Sequence, residues 1–223
     1  MSRDPWPSLP YDAWKDTYAT LHMWAQIVGK IALAQSAPLN HSWAVEIPAP
    51  IPFERDTVHQ SYDPEYARRF WRLLVQVHRV FTACRSGFVG KCSPVHFFWG
   101  SFDLAVTRFS GRPAPPRSGP AFERDAYSHE VISHGFWPGS APLFEPTFYA
   151  YAVPEPQGLK TARVQPDGAF YHTELNEFIL PYEVVRRAAS PDAAIAAFVD
   201  STYDQAATLA GWDRAGLHPH PTA

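Results

Sequence analysis

The chain has 223 residues, of which 46% are hydrophobic, enough for a sizeable core in one large domain or two small ones. Only 18% are charged and the formal net charge is -3, which excludes the basic field that nucleic-acid binding depends on. No apolar run approaches the roughly 20 residues of a bilayer span, and the opening residues lack a signal peptide's apolar region, so a soluble, cytoplasmic protein without nucleic-acid or membrane partners is expected.

Taken in chain order, residues 11–35 contain no proline, and Trp14, Tyr18, Leu21, Ala25 and Val28 recur at helical spacing, which predicts a first helix. Residues 44–52 hold three prolines and can form at most a short edge strand before a linker. A second helix is predicted from Asp63 as N-cap and Pro64 at the first helical position, with Phe70, Leu73, Leu74, Val77, Phe81 and Cys84 as its inner stripe and Arg68, Arg69, Arg72 and Arg79 on its solvent side. Trp14, Trp24 and Trp71, all on these helices, read as core residues, and His22 and His78 as core-edge residues. Cys84 and Cys92 form no CxxC pair and are too few for a disulfide scaffold, so reduced, packed thiols are expected.

From residue 92 the texture becomes aromatic and β-branched. One long strand, kinked at Gly100, is predicted over 95–109, then a Pro/Gly-rich exposed loop over 111–120, and further strands over 127–136, 147–153 and 169–180. Strands joined without intervening helices favour antiparallel pairing. Ser190 and Pro191 open a last helix that Gly211 stops, and a Pro-rich tail over 216–223 is expected to fray. The fold class predicted is α+β: an antiparallel sheet of about four to six strands on about three helices, in one domain over 1–223.

Chemistry is sought in polar residues set among apolar strand residues, because a buried polar side chain needs a partner. His96, His129 and Glu174 are the candidate ligands of a divalent transition metal, and Asp103, Glu130 and Glu177 the candidate acid–base or orienting groups. Alternation along one strand puts His96 and Asp103 on opposite faces unless the register resets near Gly100. Glu177 faces away from His172 and Glu174 unless Leu175 and Asn176 turn the chain. The ring of His96 is expected to be at least partly buried among Val95, Phe97, Phe98 and Trp99. Trp99 and Trp137 adjoin these residues and are candidates for an aromatic ligand pocket. No phosphate loop, nucleophile elbow or HExxH element is present. Two functions of different class follow: a small-molecule enzyme, metal-assisted or not, and a noncatalytic module that binds a small molecule or a protein in an aromatic pocket.

Three stretches carry a family resemblance: Trp6-Pro7-Ser8-Leu9-Pro10-Tyr11-Asp12-Ala13-Trp14, Leu21-His22-Met23-Trp24 and Gly90-Lys91-Cys92-Ser93-Pro94-Val95-His96-Phe97-Phe98-Trp99-Gly100-Ser101-Phe102-Asp103. With Tyr127-Ser128-His129-Glu130, Gly135-Phe136-Trp137-Pro138-Gly139, Phe148-Tyr149-Ala150-Tyr151 and Glu174-Leu175-Asn176-Glu177-Phe178, the chain resembles a bacterial family, domain of unknown function 5996. The resemblance spans nearly the whole chain and implies no particular activity, substrate or cofactor. It also implies a longer chain, with a β-rich and helical segment after the Asn-His-x-Trp stretch. Here Asn40-His41-Ser42-Trp43 runs almost directly into Pro50-Ile51-Pro52-Phe53-Glu54, so a deletion junction is expected near 43–50.

Overall fold

The structure, a computed structural model, describes residues 4–32, 47, 51–52, 55–119 and 121–219. The first helix, α1 (Tyr11–Ala32), ends where the described residues end, so its expected last turn and all of the 43–50 junction except Ile47 lie outside them. Helix α2 (Pro64–Ser86) starts as its sequence dictates: the Asp63 carboxylate accepts from the N–H groups of Glu65 and Tyr66 at 2.8 and 3.3 Å, a cap that contributes about 1 kcal/mol. Its 3.6-residue stripe buries Phe70, Leu73, Val77, Val80 and Phe81. Arg68 and Arg69 pair with Glu65, and Arg79 with Asp192, on its solvent side.

Six antiparallel strands follow: β1 (His96–Phe98), β2 (Asp103–Pro113), β3 (His129–Trp137), β4 (Thr147–Val153), β5 (Phe170–His172) and β6 (Glu177–Pro181). They form one sheet in the order β1-β2-β3-β4-β6-β5. Interspersed are α3 (Ala121–Ala126), α4 (Tyr182–Arg187), α5 (Pro191–Leu209) and α6 (Arg214–Leu217). This is an α+β fold. Ser190 caps α5 by accepting from the N–H of Ala193 at 3.3 Å.

The two-residue period of the strands divides the sheet into unlike faces. Leu104, Val106, Ile132, Phe136, Phe148, Ala150, Phe178 and Leu180 point to one side, into the core under α2 and α5. Phe136 and Phe148 are fully buried there, with ring centroids 5.1 Å apart. Truncating either to Ala would cost about 3–5 kcal/mol. The register sends Asp103, Ala105, Thr107, Ser133, Gly135, Trp137, Tyr149, Tyr151, Ile179 and Glu177 to the second face. An apolar face belongs to the helices and a polar, aromatic one remains for a site.

Several expectations are corrected. The long strand over 95–109 is a hairpin, because residues 99–102 form a turn with Phe102 at φ 54, a conformation few bulky residues adopt. The strand over 169–180 is likewise a hairpin, β5 and β6, turned at Asn176 with φ 57. Trp71 is 65% and Trp24 42% exposed, whereas Trp14 is buried; Trp71 lies off the stripe of Phe70, Leu73 and Val77. The tail is docked as far as His218, whose Nδ1 donates to the carbonyl of Gly87 at 2.9 Å and whose Nε2 meets the hydroxyl of Tyr203 at 3.1 Å. Residues 220–223 lie outside the described ones.

Candidate functional site

The second face carries a cavity of about 580 Å³. Its floor begins at a glycine. Gly135 on β3 stands directly across from Tyr149 on β4, and a Cβ at Gly135 would lie 2.2 Å from the Tyr149 ring. The absence of that Cβ lets the ring lie over β3 and deliver its hydroxyl to β2, where it donates to Asp103 Oδ2. Ser101, from the β1–β2 turn, donates to Asp103 Oδ1. Asp103 is 4% exposed, and burial pushes its carboxyl above the usual carboxylate range against the opposing pull of these two hydroxyls.

Two residues on, Tyr151 continues the floor. Its ring is nearly parallel to that of Tyr149, with centroids 6.0 Å apart, and its hydroxyl sits 3.0 Å from that of Tyr127. Ser133, directly across on β3, also bonds to Tyr151, and its own hydroxyl lies 2.9 Å from that of Thr107. Burial holds the phenols of Tyr149 and Tyr151 well above the ordinary tyrosine range, Tyr149 further through the neighbouring Asp103, so both stay neutral. At the far end the Arg117 guanidinium lies over the Tyr127 ring, 4.5 Å from its centroid. Glu177, Asn176 and Leu175 from the β5–β6 hairpin, Glu155 and Trp137 complete the walls. The indole Nε1–H of Trp137 is shielded from solvent and has no acceptor among the described residues.

The turn bearing Ser101 is held from α1. His22 Nε2 lies 3.0 Å from both the Trp99 and the Gly100 carbonyl oxygens, so Nε2 carries the proton and donates. Its ring packs against Phe102, with centroids 4.8 Å apart, and among the described residues Nδ1 is buried without a partner. Burial lowers the His22 pKa to about 4, since a second proton would be a charge out of water. His22 is therefore a wholly buried positioning residue, and not one at the edge of the core.

Of the eight sequence candidates, Asp103, Glu177 and Trp137 line this cavity. His96 is on the same face as Asp103, since the hairpin places Phe98 opposite Asp103 and His96 opposite Ala105, but on an edge strand it is exposed, with its ring against Phe98 at 4.8 Å. The expected burial of His96 is thus corrected. Trp99 is 40% exposed in the turn. His129 lies at the far end of β3 beside Ser128, and Glu174 is exposed in the β5–β6 turn. Glu130 points to the helix side and pairs with Arg112 at 2.7 Å, which in turn donates to the carbonyls of Ala210 and Gly211 at the end of α5. His96, His129 and Glu174 are not brought together, and among the described residues no three His, Cys, Asp or Glu side chains are grouped to hold a metal ion. Both cysteines are free, and burial raises their thiols, Cys84 to about 11. The residues that reading by sequence missed are Tyr127, Tyr149, Tyr151, Arg117 and Gly135.

A second concavity of about 560 Å³, where α1, α2 and the β1–β2 hairpin meet, is apolar and lined by Leu21, Phe70, Trp71, Leu74, Val75 and Phe97 among others. Among the described residues no helix is long and apolar enough to cross a membrane.

The fold and the site define an α+β protein with a carboxylate-and-tyrosine cavity on the exposed side of its sheet. The sequence model of a family of unknown function, DUF5996, matches residues 6–47 and 44–219, and the chain belongs to that family. The two matched stretches meet at 44–47, inside the expected junction. No curated protein and no solved structure matches the chain.

Proposed function

We propose that the protein binds a small polar molecule in the cavity of its second sheet face. The observation that supports this is the gathering of Asp103, Tyr149, Tyr151, Trp137 and Glu177, drawn from four strands, around one concavity of about 580 Å³. That size falls within the range of about 300–1,000 Å³ typical of ligand sites, and the lining mixes aromatic surface with a few convergent polar groups. A buried carboxyl with neutral hydroxyl partners is costly for folding, so its presence favours a site.

A catalytic reading comes second, supported by Asp103 alone. A carboxyl whose affinity for protons is raised by burial, in contact with a neutral phenol, is suited to take up and return a proton. The metal-assisted version is not carried further, because His96, His129 and Glu174 stand apart.

The test is a ligand-detected NMR screen of a few hundred charge-diverse fragments against the parent and Leu175→Trp, which adds bulk to the cavity lining at the β5–β6 turn. Fragments that bind the parent and not the variant are expected. A hit list unchanged by Leu175→Trp would sink the proposal.

A further inference from the structure

We infer that the ligand of this cavity is a small organic cation, an ammonium or guanidinium compound with a flat or compact apolar body. The inference rests on the cavity being a binding site and adds the ligand's class. Three features carry it, and they are independent of one another.

The first is charge. The lining holds three carboxyl groups, Asp103, Glu155 and Glu177, against one guanidinium, Arg117. Glu155 is engaged by Lys160 at 3.6 Å and by the Tyr171 hydroxyl, but the hydrogen-bond partners of Asp103 are two hydroxyls and no cation. Burial favours the neutral form of the Asp103 carboxyl, opposed by its two hydroxyl partners and by the more distant His96, and a ligand cation beside it would favour the ionised form and pair with it.

The second is the balance of donors and acceptors. Tyr149 spends its proton on Asp103, and of the two hydroxyl protons of Tyr127 and Tyr151 one is spent between their oxygens. The Asn176 amide is engaged at both ends, its Oδ1 accepting from Lys160 at 3.0 Å and its Nδ2 donating to the Glu174 carbonyl at 3.4 Å. What the hydroxyls and carboxyls have left to offer is mostly lone pairs, which suits a ligand rich in N–H. An anion would find the Trp137 indole and Arg117 as donors, but it would face three carboxyls.

The third is the floor itself. The stacked rings of Tyr149 and Tyr151 present negative π faces, and a neighbouring ring of the same cavity, Tyr127, already holds a cation, since Arg117 sits 4.5 Å from its centroid. Aromatic faces flanked by carboxylates are the chemistry that recognises ammonium and guanidinium groups.

The experiment uses three probes of one size: benzylammonium, benzyl alcohol and benzoate, titrated into ¹⁵N-labelled protein at neutral pH. The Trp137 indole N–H is the reporter, assigned by its loss in Trp137→Phe. Benzylammonium should bind at least about tenfold more tightly than either of the others, the ratio expected when one cation–π contact and one carboxylate partner are gained. Glu177→Gln, which removes charge, and Tyr151→Leu, which removes a ring, should each weaken it by about the same factor, and two variants keep the test alive if one misfolds. Benzoate or benzyl alcohol moving the Trp137 signal as readily as benzylammonium would overturn the cation class and leave the cavity as a binding site. Benzylammonium binding that neither substitution alters would also overturn it. If no probe of any charge moves the Trp137 signal, the binding reading itself fails with it.

Discussion

Acidification should loosen the β1–β2 turn through one residue, His22. In the folded protein its pKa is about 4, against the ordinary 6.5, so the neutral ring is the form that the fold accepts. A base with a depressed folded pKa contributes stability that is present above 6.5 and is lost as pH falls toward 4. The difference is worth about 3 kcal/mol between pH 7 and pH 4, a large share of the stability of an ordinary domain. His22→Gln retains an amide N–H for one of the two carbonyls but loses the ring contact with Phe102, a cost of about 1–2 kcal/mol at pH 7. The variant has no imidazole to protonate, so its stability should fall less steeply with acid, and the two curves should cross at about pH 5–6. Urea unfolding at several pH values checks this, with all other titrating groups common to both proteins. Parallel curves for parent and variant, with no crossing, would refute the role given to His22.

Three further outcomes are expected. Gly135→Ala places a methyl group 2.2 Å from the Tyr149 ring, so the ring must swing off Asp103; urea unfolding should show a loss of about 1–3 kcal/mol, and probe binding in the cavity should vanish. A parent-like melt with intact binding would contradict the geometry. Asp103 has the opposite sign from His22: its folded pKa is raised, so its contribution is full below the unfolded value of 3.8 and is lost as pH rises through the folded one. Asp103→Asn should therefore gain on the parent as pH climbs from 4 toward 7 in the same unfolding series, and a gap that does not widen would count against a buried, proton-holding Asp103. Arg108 is 4% exposed, stacked 4.5 Å from the centroid of Tyr203 and bonded at 2.8 Å to the carbonyl of Cys84. Arg108→Lys should cost more stability than Arg108→Met, by about 1 kcal/mol in thermal or urea melts, since lysine keeps a buried charge but loses the planar stack.

Local signals in the sequence sufficed for the long helices. Asp63-Pro64 and Ser190-Pro191 satisfy helix N-termini within their own turn, and the Phe70, Leu73, Val77, Phe81 stripe follows from the helical period alone. The β1–β2 hairpin was not legible for a physical reason. Its left-handed position is Phe102 and not Gly100, and the turn is held by His22, 77 and 78 residues away in sequence. Asp103, Glu177 and Trp137 could be picked out as polar or amphipathic groups in apolar strands. Tyr149 and Tyr151 could not, because aromatic residues are common in any strand. Only the pairing of β3 with β4, which sets Gly135 under Tyr149, shows that these rings floor a cavity. The same register explains why the metal candidates stand apart: His96, His129 and Glu174 look alike in sequence but fall on an edge strand, a strand end and a turn.

The most direct measurement is a crystallographic one: crystals of the parent soaked with the fragments that Leu175→Trp fails to bind. The account predicts ordered density on the second sheet face, over Tyr149 and Tyr151 and within hydrogen-bond distance of Glu177 or Asp103. Density confined to the apolar groove beside Trp71, with the tyrosine cavity holding only water, would contradict it.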